Sequence, residues 1–150
     1  MIFVGIDDTD ILGSKGTNQL ARAIVQAAQE HWRCRWIVRH QLLDDPRIPY
    51  TSQNGAASIA LEPRESPDIE NLIETCRRVM RQWYIEGSDP GLSVTDVVPA
   101  EISDFGKRCG WEVVTQAEAR GLAANYALRL EGPGRTTCGA DDSTNLSLRA

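Results

Sequence analysis

Short apolar runs alternate along this chain with longer segments in which apolar residues recur every three or four positions. Residues 2–6 are continuously apolar, which predicts a buried strand. Residues 17–32 carry apolar side chains at helical spacing without Gly or Pro, so they predict a helix. Thr17 or Asn18 is expected to be its N-cap. Residues 35–43 alternate between apolar and polar side chains, which predicts a second strand.

After a loop rich in turn residues the pattern predicts a strand, a helix and a further strand. Residues 55–61 predict a third strand. A second helix is expected after Ser66 as N-cap and Pro67 as first helical residue, since apolar residues then recur at offsets of three and four. Residues 92–98 predict a fourth strand.

The order of these elements predicts the fold class. It is β-α-β-β-α-β, the ferredoxin-like arrangement, in which two helices cover one face of an antiparallel sheet. Two more helices are expected near residues 99–107 and 116–128. The predicted fold is therefore α+β, a ferredoxin-like two-layer sandwich with additional C-terminal helices. Residues 1–140 are expected to form one domain, and residues 141–150 a polar tail.

Composition narrows the class of protein. The chain has 150 residues, of which 41% are hydrophobic and 25% charged, as in an ordinary globular domain. No apolar run approaches the roughly 18 residues of a membrane helix, so a cytoplasmic protein without a membrane partner is expected. The net charge of −5 argues against nonspecific nucleic-acid binding. Trp32, Trp36 and Trp83 are expected on core faces.

Three carboxylates follow the first strand within four residues: Asp7, Asp8 and Asp10. Closely spaced ionised carboxylates repel one another unless a cation or several donors compensate. Mg²⁺ is bound by few protein carboxylates and completes its shell with water and substrate phosphates. In the alternative interpretation these Asp side chains form turns and cap the next helix. The residues alone leave both interpretations open.

The loop after the acidic run has the composition of a phosphate site. Gly16 permits close approach of the backbone to a ligand. The amides of Gly16, Thr17 and Asn18 at a helix N-terminus attract phosphate, and Lys15 adds a positive charge. The loop is not a Walker motif, because no G-x-x-x-x-G-K-[ST] occurs in the chain.

Several motifs together resemble one protein family. They are the run GIDDTD, the following G-T-x-x-L-A, the IPY and NGA motifs, a short DPG and a terminal G-x-x-x-x-G-A. The resemblance is to the agmatinylcytidine synthetases, which modify the wobble cytidine of an isoleucine tRNA in archaea. It covers residues 1 to about 140 and concerns their N-terminal kinase-like region with its attached ferredoxin-like part.

The resemblance implies a chemistry and a set of residues. It implies that ATP and Mg²⁺ are bound and that the cytidine is phosphorylated before agmatine displaces the phosphate. Asp7, Asp8 and Asp10 would hold the metal, and Thr17 matches a functional threonine of the family. The candidate catalytic residues are then Asp8, Asp10 and Thr17. A second group matches segments near the nucleotide: Asn54, Gly55, Gly134, Arg135 and Gly139.

The sequence therefore predicts a Mg²⁺-dependent, ATP-binding phosphoryl-transfer domain with an unknown acceptor. The alternative is a non-catalytic nucleotide- or anion-binding module that acts through a partner chain. Family members continue into an OB-fold and a zinc ribbon that handle tRNA, whereas this chain ends before them. An RNA partner, or a protein partner that supplies RNA-binding domains, is a further expectation. The oligomeric state is left open.

Overall fold

The structure is a computed structural model that describes residues 1–48, 54–66, 68–126 and 128–132. These residues form five strands and four helices. In chain order they are β1 (Ile2–Asp7), α1 (Thr17–Ala28), β2 (Trp32–Gln41), β3 (Gly55–Pro63), α2 (Ile69–Trp83), β4 (Gly91–Thr95), α3 (Ala100–Arg108), α4 (Gln116–Asn125) and β5 (Arg129–Glu131).

The strands form one antiparallel sheet in the order β2-β3-β1-β4-β5. β1 lies at its centre, and Ile6 pairs with Ala57 on one side and Leu92 on the other. The first four strands thus have the predicted ferredoxin-like connectivity. The short strand β5 was not predicted, because three residues are too few to show a period.

Helices α1 and α2 cover one face of the sheet. Their apolar stripes meet the alternate side chains of the central strands in one buried cluster, which includes Ile6, Ile24, Ile59 and Leu72. These side chains are completely buried. The helical periodicity read from the sequence therefore corresponds to real burial.

Helices α3 and α4 build a second cluster around Ile102, Phe105 and Ala119. This cluster includes Ala56, whereas its neighbour Ala57 belongs to the first cluster. Successive side chains of a strand point to opposite faces, so the second cluster lies on the other face of β3. The α+β sandwich with additional C-terminal helices is confirmed.

Some predicted boundaries are wrong. Helix α1 ends at Ala28, and Trp32 instead begins β2, where it pairs with Pro63. The N-cap of α2 is Asp68 rather than Ser66, because the Asp68 carboxylate accepts a hydrogen bond from the N–H of Asn71 at 2.9 Å.

The tryptophans divide between core and surface. Trp32 is buried, and Trp83 is partly buried against the first cluster. Trp36 keeps 37% of its surface exposed and contacts Phe3, with ring centroids 6.0 Å apart. The expectation that Trp36 lies on a core face is therefore wrong. Trp36 pairs with Ala60, and both lie on the face of the sheet opposite α1 and α2.

Two further expectations bear on the whole chain. No helix in the described part of the chain is long and apolar enough to span a membrane. Gly134, Arg135, Gly139 and the expected polar tail lie outside the described residues. The division into a domain at residues 1–140 and a tail at 141–150 stays a prediction.

Candidate functional site

The acidic run lies where the central strand ends. Asp7 is the last residue of β1, is 2% exposed and pairs with Ala56 of β3 and Gly91 of β4. Because both neighbouring strands run antiparallel to β1, they begin where β1 ends. The segments that precede β3 and β4 are therefore brought beside the carboxylates.

Asp8 has both an unusual backbone conformation and a strongly raised pKa. Its φ of 45° is left-handed, and its carbonyl accepts a hydrogen bond from the N–H of Asp89 at 3.0 Å. Burial, followed by the nearby charges of Asp7, Asp89 and Asp10, raises the pKa of Asp8 to about 8. At neutral pH this carboxyl group therefore retains a proton unless a cation takes its place.

A chain of hydroxyl groups connects the acidic run to α1. Thr9 Oγ1 donates a hydrogen bond to Thr17 Oγ1 at 3.0 Å, and Thr17 Oγ1 donates to Asp10 Oδ1 at 3.2 Å. Both threonines are buried. The expected N-cap at Thr17 or Asn18 is wrong: Gly16 occupies that position without a side-chain cap. The hydroxyl of Thr17 is instead directed to the acidic run.

An open cleft lies in front of this helix end, and we call it the α1 cleft. It has a volume of about 290 Å³. Its lining consists of Asp10, Gly16, Thr17, Asn18, Gln19, Arg39, Gly55 and Ala56. The first amides of a helix have no intrahelical acceptor and carry a partial positive charge. The α1 cleft therefore combines an anion-attracting helix end with a carboxylate at its edge.

Arg39 is a functional candidate that the sequence did not single out. It lies near the end of β2, and its Nε atom is 3.6 Å from the position that a Cβ atom on Gly55 would occupy. Gly55 thus leaves room beside the guanidinium. The alternation of β2 places Arg39 opposite Ala57, on the face that carries α1. That alternation was the available signal for Arg39.

Asp89 is the second candidate missing from the sequence prediction. The DPG motif contained it, but the motif alone says nothing about which residues lie nearby. The antiparallel pairing of β4 with β1 brings Asp89 beside Asp8.

Two predicted site residues lie apart from the α1 cleft. The Nζ atom of Lys15 lies 5.0 Å from the centroid of the Trp83 ring, a cation–π contact toward α2. Asn54 is buried at φ 44° and its amide donates a hydrogen bond to the carbonyl of Leu43. Asn54 therefore joins the start of β3 to Leu43, which follows β2.

The carboxylates do not form a ready-made metal cage. Within the described part of the chain, no three His, Cys, Asp or Glu side chains are placed so that they could hold a metal ion together. Mg²⁺ needs fewer protein ligands than that, since one or two carboxylates and substrate phosphates suffice. Asp10 lies at the helix end, and its charge is close enough to Asp8 to raise the pKa of Asp8, so these two carboxylates fit this donor set.

Comparison with known proteins identifies the same architecture elsewhere. No protein-family model and no curated protein matches the sequence. Apo TiaS, the tRNA(Ile2) agmatidine synthetase, matches 89% of this chain with a TM-score of 0.76 and 22% identity. The complex of TiaS with tRNA(Ile2) and ATP matches 89%, with a TM-score of 0.77 and 24% identity. The complex with tRNA(Ile2), AMPCPP and agmatine matches 87%, with a TM-score of 0.73 and 22% identity.

These matches confirm at the level of the fold the resemblance seen in the motifs. They cover most of this chain. The chain spans about a third of the length of the TiaS chains, 32% to 33%. At 22% to 24% identity they establish the fold alone.

Proposed function

We propose that this chain is a Mg²⁺-dependent, ATP-binding domain that transfers a phosphoryl group, related to the tRNA-modifying synthetases whose fold it shares. The observation that carries the proposal is the junction of an acidic run with an uncapped helix N-terminus. Asp10 and Thr17 are hydrogen-bonded to each other and line the same cleft. TiaS itself is bound to ATP in one of the matching structures, which supports ATP as the ligand.

The α1 cleft supplies the groups that bind a polyphosphate. The first amides of α1 point out of the helix at Gly16 and Thr17, and Arg39 adds a positive charge from β2. Phosphoryl transfer requires mainly positioning and charge neutralisation. The helix end and the guanidinium provide both for the terminal phosphate.

The acidic run supplies the metal ligands. A bound Mg²⁺ would neutralise the phosphate oxygens, with Asp8 and Asp10 as its protein ligands. Asp7, the third predicted ligand, is buried. Burial and the charges of Asp7, Asp89 and Asp10 raise the pKa of Asp8, and a bound cation would act in the opposite direction. Mg²⁺ binding would displace that proton, so the affinity for Mg²⁺ should increase with pH up to about 8.

Thr17 is the proposed first acceptor of the phosphoryl group. Thr17 Oγ1 donates a hydrogen bond to Asp10 Oδ1, with the two oxygens 3.2 Å apart, so Asp10 can take that proton. A bond from Thr17 Oγ1 to the γ-phosphorus would form while the bond to the bridging oxygen of ADP breaks. The final acceptor would then receive the phosphoryl group from Thr17.

Calorimetric titration with ATP tests the proposal, with and without Mg²⁺, on the wild type and on Asp8→Asn. The expected result is Mg²⁺-dependent binding that the variant loses. Asp96→Asn is the matched control: Asp96 is exposed and follows Thr95, which pairs with Phe3 at the other end of β1. It should bind ATP like the wild type.

The outcomes separate the candidate functions. Binding with slow release of ADP, lost in Thr17→Val, supports a phosphotransferase. Binding without any turnover, even with RNA added, would instead identify a non-catalytic nucleotide-binding module. Equal binding by Asp8→Asn and the wild type would refute the assignment of the acidic run.

A further inference from the structure

A second cleft lies on the other side of the central strand, and we call it the α2 cleft. It is bounded by the last turns of α2 and by strands β4 and β5, and has a volume of about 480 Å³. Its lining consists of Arg77, Met80, Arg81, Tyr84, Pro90, Leu92, Glu131 and Gly132. The phosphate chemistry of the α1 cleft uses none of these residues. The volume is within the range of small-molecule sites, about 300 to 1,000 Å³.

The floor of the α2 cleft is apolar and carries one aromatic ring. Met80, Pro90 and Leu92 form an apolar surface, and Leu92 is continuous with the main core. Tyr84, the C-cap residue of α2, keeps 45% of its surface exposed beside this floor. An exposed ring beside a thioether and apolar carbon atoms suits a planar aromatic ligand, because such rings stack on aromatic side chains.

Ion pairs fix the walls of the cleft. Arg77 Nε donates a hydrogen bond to Glu131 Oε2 at 2.8 Å, which joins α2 to β5. Arg81 Nη2 donates to Glu74 Oε1 at 2.6 Å on the surface of α2. Arg77 is therefore paired with a carboxylate of the opposite wall, and Arg81 with a carboxylate outside the cleft. A neutral, flat group suits the cleft better than a charged one.

One hydrogen bond places the α2 cleft near the acidic run. Pro90 lines the cleft, and the preceding residue, Asp89, donates its backbone N–H to the carbonyl of Asp8. Both clefts lie at the same end of the sheet, because β3 and β4 both begin where β1 ends. The α1 cleft lies beside β3 and the α2 cleft beside β4. The carboxylates lie between them.

We infer that the α2 cleft binds the purine base of the nucleotide whose phosphates bind in the α1 cleft, with the base stacked on Tyr84. The inference rests on the proposed function, because it places one part of the same ligand. It assigns base recognition to α2 and β4, and triphosphate binding to α1 and the acidic run. Removal of the Tyr84 ring should therefore weaken binding of a nucleotide but not of a bare polyphosphate.

Calorimetry with two titrants, Mg²⁺–ATP and Mg²⁺–tripolyphosphate, tests this separation. Tyr84→Ala should lower the affinity for ATP about 5-fold to 100-fold, the range of one base–aromatic stack. Its affinity for tripolyphosphate should stay that of the wild type. Tyr84→Phe keeps the ring and should bind ATP like the wild type.

Tyr126→Ala is the matched control. Tyr126 is also a C-cap residue, at the end of α4, and is 37% exposed, but it lines neither cleft. This variant should bind both titrants normally. Unchanged ATP affinity in Tyr84→Ala, in a protein that needs Asp8 for ATP, would overturn the base site and leave the proposed function intact. A wild-type protein that binds neither titrant would overturn both.

Discussion

Asp8→Asn should make the metal-free protein more stable at alkaline pH. The substitution keeps the shape of the side chain and removes its charge. Asn also tolerates the left-handed φ of 45° at this position, so the backbone should not be strained by the change. Charge is therefore the main property that differs between the two proteins.

The sign follows from the direction of the pKa change. The pKa of Asp8 is raised from 3.8 to about 8 in the folded protein, so between these values the folded state binds more protons than the unfolded state. The free energy of unfolding must then fall as the pH rises through this window. At about 1.4 kcal/mol per pH unit, the whole difference is on the order of 5 kcal/mol. The Asp8→Asn variant has no carboxyl group at this position, so its free energy of unfolding should not fall in this way.

Urea denaturation between pH 4 and pH 9 in the presence of a chelator measures the effect. Wild type and Asp8→Asn should have similar free energies of unfolding near pH 4. Near pH 9 the variant should be more stable, by a difference on the order of 5 kcal/mol. Asp96→Asn should follow the wild type throughout. Excess Mg²⁺ at pH 9 should stabilise the wild type and not Asp8→Asn. Parallel curves for wild type and Asp8→Asn would refute the reasoning.

Two further substitutions test the elements that present the α1 cleft. Gly16→Ser fits, since a Cβ atom there would lie 3.7 Å from Asp10 Oδ2. The new N-cap should stabilise α1 by about a few tenths of a kcal/mol, as thermal unfolding would show, and weaken ATP binding by using the same amides. Asn54→Ala should cost about 2 kcal/mol in urea denaturation, because it loses the bond to Leu43 and keeps the φ of 44°. Asn54→Gly should lower the free energy of unfolding less, because Gly tolerates that φ. Equal decreases in the two variants would show that the left-handed φ at residue 54 does not contribute to the cost.

The sequence predicted the elements whose side chains show a clear period. Helix α2 was recognised because Leu72, Ile73, Cys76 and Val79 recur at helical spacing, and all four are buried. Its N-cap was mispredicted because Ser66 and Asp68 both have capping side chains. Which of them caps depends on where the chain turns, and local sequence does not determine that.

The candidate site was predictable where its residues are neighbours in sequence. Asp10, Gly16 and Thr17 come from one continuous stretch and line one cleft. Arg39 of β2 and Asp89, which precedes β4, reach the same region through the antiparallel pairing of β2 with β3 and of β4 with β1. A single sequence contains no local signal for such an approach, although the alternation of β2 gives the face of Arg39.

The structure also bears on whether the acidic run forms a turn or a cation site. Asp45 has the properties of a turn residue: it is bonded to the N–H and guanidinium of Arg47, and these bonds lower its pKa to about 2. Asp8 is the opposite case, since burial and three nearby carboxylates raise its pKa to about 8. A cost on the order of 5 kcal/mol is large against a typical stability of about 5 to 15 kcal/mol. Turn formation does not require such a cost, whereas a bound cation would offset it, which favours the cation site.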